Sequence, residues 1–192
     1  EIFQRQWQLN EYTLDKIGLD YRATVDDADL QPVWIENYRK ALSAELAELV
    51  REVQAHGFGS SNGKIEVVDL LHFVVSLSHL VGLAPEEIPA ITTATGATFE
   101  QDVVASFLAL DDLQNSLKWK WWATGGGYKP EQARKAVLEL WACFFAWCAR
   151  FDLDFPRLKA LYIAKNQVNF QRQDRGYNED TKTEEDNLGI RT

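Results

Sequence analysis

Between residues 65 and 81 the chain is apolar almost all round, and its only formal charges there are Glu66 and Asp69. At about 100° per residue, both fall on the stripe that carries Leu70, Phe73 and Leu77. A helix that is hydrophobic on every side is a core helix, so these two carboxylates are expected to be buried. Buried carboxylates must be paired, protonated or metal-bound. The segment therefore demands a bundle thick enough to surround one helix and a cation able to reach its acids.

The rest of the chain supplies such a bundle. Helical periodicity predicts helices over about 1–14, 33–54, 64–81 and 98–119. Two more are expected, one from Pro130 to Arg150 and one opened by Asp154 and Pro156 and ended by Gly176. Residues 18–32 and the run from His56 to Gly63 read as turn-rich connections. No strand run or internal repeat is visible, so the expected fold class is all-α, one domain over 1–192. Its charged tail, 177–192, is expected to be mobile without ligand and to close over substrate. Hydrophobic residues make up 46% and charged residues 26%, as in globular proteins. The longest apolar stretch, 140–149, is too short to span a bilayer. No basic-then-apolar leader opens the sequence, so the expected compartment is the cytoplasm. Cys143 and Cys148 sit in an aromatic run and read as reduced, buried thiols.

Glu45 and Glu48 are three residues apart and share a helix face, as do Glu66 and Asp69 on the next predicted helix. The short link between the helices favours an antiparallel pair. Packed that way, the two acidic pairs face each other. Taken alone, the first pair is an ordinary solvated face, and the second suits a helix N-terminus. Together, on an apolar host, they form a set of carboxylates that cannot all stay ionised without a cation. Hard oxygen ligands suit Mg²⁺ or Mn²⁺. The net charge of −9 argues against nucleic acid as a partner but not against a small nucleotide carried by a divalent ion.

On the last predicted helix Lys165, Asn169 and Arg172 share a face with Leu158, Leu161 and Tyr162. Inward-facing cations need anions, and phosphates match them well. By periodicity alone the competing stripe of Ile163 and Phe170 favours a solvated helix end instead.

Three blocks resemble the dimeric, all-α dUTPases of kinetoplastids, some bacteria and phages, within the MazG-like pyrophosphohydrolase superfamily. The first spans Ala44 to Leu49 and contains Glu45 and Glu48. The second runs from Ile65 to Ser76 and contains Glu66, Asp69, His72 and Phe73. The third and most specific runs from Tyr162 to Asn169, then Arg172-Gln173, Gly176-Tyr177 and Glu185-Asp186-Asn187. Gln8-Leu9-Asn10 is a fainter match to the family's N-terminal Q-x-L-N segment. The resemblance implies a MazG-like helical bundle that hydrolyses dUTP, and also dUDP, to dUMP. Glu45, Glu48, Glu66 and Asp69 would bind two or three Mg²⁺ ions, with Glu48 also deprotonating the attacking water. Lys165, Arg172 and Tyr177 would contact phosphates, with Lys182 and Asn187 added from the closing tail. Asn169 would bind the nucleoside, Gln8 and Asn10 would read the uracil edge, and His72 and Phe73 would line the base and sugar pocket. A satisfied core histidine is an equally good reading of His72.

Two departures stand out. The family's Trp-Lys-x-Trp-Lys segment after the first acidic pair is replaced by His56-Gly57-Phe58-Gly59, while Lys118-Trp119-Lys120-Trp121-Trp122 occurs far later. The tail between Tyr177 and Asn187 is also shorter than the family's. A MazG-like enzyme for another nucleotide such as dCTP is therefore a competing reading. So is a carboxylate-bridged di-iron bundle, for which Asp69-x-x-His72 supplies half of the ligand spacing. The surplus of apolar surface favours a homodimer, and the aromatics near 119–122 offer a face for a regulatory protein.

Overall fold

The computed structural model describes residues 1–90, 95–176, 187 and 189–190. Among them are seven α-helices: α1 (Ile2–Asp15), α2 (Tyr21–Asp26), α3 (Leu30–His56), α4 (Ser61–Leu80), α5 (Phe99–Asn115), α6 (Pro130–Arg150) and α7 (Phe155–Asp174), with one 3₁₀ turn at Pro85–Glu87. No strand occurs among the described residues, so the all-α expectation holds. Among the described residues no helix is long and apolar enough to cross a membrane.

Helix α4 is the axis of the bundle. It packs on α3 most extensively, and also on α6, α1 and α7. Fourteen of its residues are buried, as its apolar circumference requires. Around it Leu42, Leu46 and Leu49 of α3, Val137, Leu140 and Phe144 of α6 and Leu158, Leu161 and Tyr162 of α7 close one continuous core.

Local chemistry sets the ends of these elements. The Ser60 hydroxyl accepts from the Gly63 amide at 3.0 Å and caps α4. Gly57, at φ 71°, closes α3. Only residues 57–60 separate the two helices, fewer than the 56–63 run of turn residues suggested. Asp154 caps α7 through the Arg157 amide at 2.9 Å, with Pro156 in the first turn.

The sequence reading differs from the structure in two other places. The polar stretch 18–32 contains α2, whose Tyr21 and Thr24 are buried. Helix α5 ends at Asn115, so Lys118 to Trp122 lie in the connection after it. Both cysteines are free, and burial pushes the Cys148 thiol up to about 12. Most of the expected closing tail, including Tyr177 and Lys182, lies outside the described residues.

Candidate active site

The tight α3–α4 connection brings Glu45 and Glu48 against Glu66. One carboxylate oxygen from each lies within 4.8 Å of the other two. Glu66 is 5% exposed, on a helix that is otherwise core. Its Oε1 accepts from Asn62 Nδ2 at 3.0 Å. Asp69, one turn further along α4, is not in this group. Its Oδ2 lies 2.8 Å from Lys165 Nζ. Lys165 also donates to Asn187 Oδ1 at 3.1 Å. The side chains of Lys165 and Asp69 are only 3% and 16% exposed, so this is an inward-facing pair. The solvated-end reading of α7 therefore fails at Lys165: the lysine points into the bundle, and its stripe wins over that of Ile163 and Phe170.

A cavity of about 330 Å³ opens between α1, α3, α4 and α7. Glu45, Asp69 and Lys165 line its acidic end, and Asn169 and Arg172 continue from α7. Trp34, Tyr38 and Phe73 form an aromatic wall, with the Tyr38 and Phe73 rings 6.2 Å apart and the Trp34 and Tyr38 rings 5.7 Å apart. Its size lies in the range of small-ligand pockets.

Behind the cavity runs a buried polar chain. The Gln6 amide oxygen accepts from the Tyr162 hydroxyl at 2.9 Å and contacts His72 Nδ1 at 2.6 Å. Gln6 Nε2 donates to Asn10 Oδ1 at 2.8 Å, which identifies the other Gln6 atom as the oxygen. His72 must therefore carry its proton on Nδ1. Asn10 Nδ2 donates to Ser76 and to Tyr21, and the Tyr21 hydroxyl reaches His79 Nδ1 at 3.1 Å. Burial and then the positive charge of Lys165 push the His72 imidazolium down to about 3, so the ring is neutral. Its buried Nε2 makes no hydrogen bond to a described residue, which leaves an acceptor at a cavity-lining residue.

Of the residues expected at the site, Glu45, Asp69, His72, Phe73, Asn10, Lys165, Asn169 and Arg172 all line this one cavity. Glu48 and Glu66 join it through Glu45. Asn187 reaches it by way of Lys165. Gln8 does not. It is exposed and lines a separate cleft with Glu11, Tyr12 and Asp15. The reason is periodicity: two residues on a helix are about 200° apart, so Gln6, not Gln8, shares the face of Asn10. The late tryptophan run does not reach the cavity either. Trp119 and Trp121 line a cleft with Val33, Asn37 and Tyr128, and Trp121 and Trp122 are each 78% exposed. Gln6, Trp34 and Tyr38 were missed. For Gln6 a signal existed, since Gln6 and Asn10 are four apart on the stripe of Leu9 and Leu14. Trp34 and Tyr38 belong to an aromatic pair in the first turns of α3, which sequence alone does not aim at a ligand.

Comparison with known proteins bears on this arrangement. No curated protein and no solved structure gives a match. A family model described as dUTPase matches residues 1–177, which include both acidic pairs and the whole of α7. The chain belongs to the dimeric all-α dUTPase family, enzymes that hydrolyse dUTP.

Proposed function

We propose that this chain hydrolyses dUTP, and also dUDP, to dUMP with Mg²⁺ held by Glu45, Glu48, Glu66 and Asp69. The observation that carries the reading is the convergence of three carboxylates within 4.8 Å beside a cavity that Lys165, Asn169 and Arg172 also line. The donor set fits the ion. It is all carboxylate oxygen, with no imidazole or thiolate, which suits Mg²⁺ or Mn²⁺. It does not suit the di-iron alternative, because His72 is absent from the group and its Nδ1 is engaged by Gln6.

Bound Mg²⁺ would lower the pKa of the attacking water and offset charge on the phosphate chain. Glu48 takes the proton of that water as its oxygen attacks phosphorus. The bond to the departing phosphate then breaks, releasing pyrophosphate from dUTP or phosphate from dUDP. Lys165 and Arg172 hold phosphate oxygens. Tyr177 and Lys182 belong to the same phosphate-binding proposal by resemblance. Asn169 holds the nucleoside, and Phe73 with Tyr38 and Trp34 offers flat apolar surface to the base. His72, neutral and buried, lines the base and sugar side of the pocket. The match to the dUTPase family favours dUTP over the dCTP reading. Gln6 orients the His72 ring, and Asn10, held by Gln6, Ser76 and Tyr21, stands as the reader of the uracil edge.

A homodimer is the proposed assembly. Val104, Phe107 and Leu108 form an exposed apolar stripe along α5, spaced at helical intervals and more than half exposed. The exposed Trp121 and Trp122 support a second reading, in which a regulatory protein docks on this surface.

The test is pyrophosphate release from a panel of deoxynucleoside triphosphates with Mg²⁺, run on the wild type and on Glu48→Gln. The expected result is a preference for dUTP over dCTP and dTTP, no turnover without a divalent ion, and a loss of about 10²- to 10⁴-fold in Glu48→Gln. Equal turnover of dCTP would sink the base assignment, and full activity in Glu48→Gln would sink the catalytic one.

A further inference from the structure

Asp69 and Lys165 are tied together in a way that the metal reading must accommodate. The carboxylates that converge are Glu45, Glu48 and Glu66, and Asp69 stands outside them, with an ammonium 2.8 Å from its Oδ2. A divalent ion cannot share that oxygen with an ammonium, since like charges would meet at contact distance with little water between them. Lys165 is 2% exposed, so leaving Asp69 requires another anion within reach. The long lysine stem can swing without moving α7, unlike a planar, forked guanidinium. The next polar residues on its face are Asn169 and Arg172, which line the same cavity.

We propose that Lys165 is an exchangeable counter-ion. It holds Asp69 until a phosphate chain enters the cavity, then transfers to that chain and opens Asp69 to a second divalent ion. The inference rests on the metal reading above. It adds that the ions bind in order: the first goes to the three glutamates and the second only with substrate. Asn187, whose amide oxygen accepts from Lys165 at 3.1 Å, adds to the hold on the lysine before transfer. The device restricts full charging of the site to ligands that carry enough negative charge to draw Lys165 away.

The experiment counts Mn²⁺ bound to the full chain by calorimetry and electron paramagnetic resonance, without nucleotide. The wild type is expected to bind one ion tightly. Lys165→Met should gain a second, with its affinity raised about tenfold or more, within the usual range of coupling between sites. Asp69→Asn added to Lys165→Met should remove that gain. Unchanged stoichiometry and affinity in Lys165→Met would overturn the exchange while leaving the metal reading intact. No Mn²⁺ on the wild type would overturn the metal reading itself. A second measurement needs no variant: a crystal structure of the wild type with Mn²⁺ and α,β-imido-dUTP. Lys165 Nζ should then lie on phosphate oxygen with an ion at Asp69, and a lysine still paired with Asp69 beside bound analogue overturns the proposal.

Discussion

Gln6 and Gln8 stand two residues apart on α1, yet one is sealed inside the polar chain behind the cavity and the other faces solvent. Their substitution should separate accordingly. Gln6→Leu strips the acceptor from both His72 Nδ1 and the Tyr162 hydroxyl and the donor from Asn10. Each orphaned buried group costs about 1–3 kcal/mol, so a loss of roughly 2 kcal/mol or more is expected in urea unfolding. Gln8→Ala should stay within about 0.5 kcal/mol of wild type and leave KM for dUTP unchanged. A raised KM in Gln8→Ala would return that residue to the site. The acids were legible because a charge on an apolar helix is conspicuous in any alignment of the stripe. The amides were not, because a glutamine is unremarkable on either face, and only its neighbours decide whether it is buried.

At the scale of elements, Gly63 shows how the α3–α4 pair is held in register. In the sequence it closes a run of turn residues. In the structure it lies inside the first turn of α4, where an added Cβ would stand 2.5 and 2.8 Å from ring carbons of Phe151. It is glycine for close packing, not for a turn. Gly63→Ala should therefore destabilise the fold by about 1–3 kcal/mol, read as a lower melting temperature. By pushing the start of α4 away, it should also weaken Mn²⁺ binding at Glu48 and Glu66. A melting temperature at or above wild type would show that the ring yields freely. Long amphipathic helices with strong caps, such as α7 behind Asp154 and Pro156, were readable to within a residue or so. Helix α2 was not, since six residues carry too little periodicity to signal a helix. What stabilises it is tertiary: Tyr21 is 1% exposed and packs edge-on against Trp7.

Across the whole molecule, two histidines of α4 are held neutral, His72 buried and His79 partly buried. Burial holds His79 down to about 4, against a smaller opposing contribution from the Phe3 backbone, and His72 down to about 3. Above the ordinary histidine value of 6.5 neither state takes up a proton there, and stability is unaffected. Below 6.5 the unfolded chain binds protons that the folded one refuses, so stability falls as pH drops towards 4. Each group contributes a slope of up to about 1.4 kcal/mol per pH unit in that window. Urea midpoints should fall steadily from pH 6.5 to 4.5, and His79→Gln should flatten the decline. A flat profile in the wild type would mean that both rings are hydrated. The shared core of α3, α4, α6 and α7 followed from the apolar circumference of one helix. The position of the tryptophan run relative to the cavity did not, because it depends on where α5 ends.

The short link at residues 57–60 fixes where α4 starts against α3, and so where Glu66 meets Glu45 and Glu48. A shorter or longer link would let the start of α4 settle elsewhere along α3 and separate the three carboxylates. The length of the link is thus as much a part of the acidic site as the acids themselves. The connection at residues 120–126, which is exposed throughout, touches none of these acids and carries no such constraint.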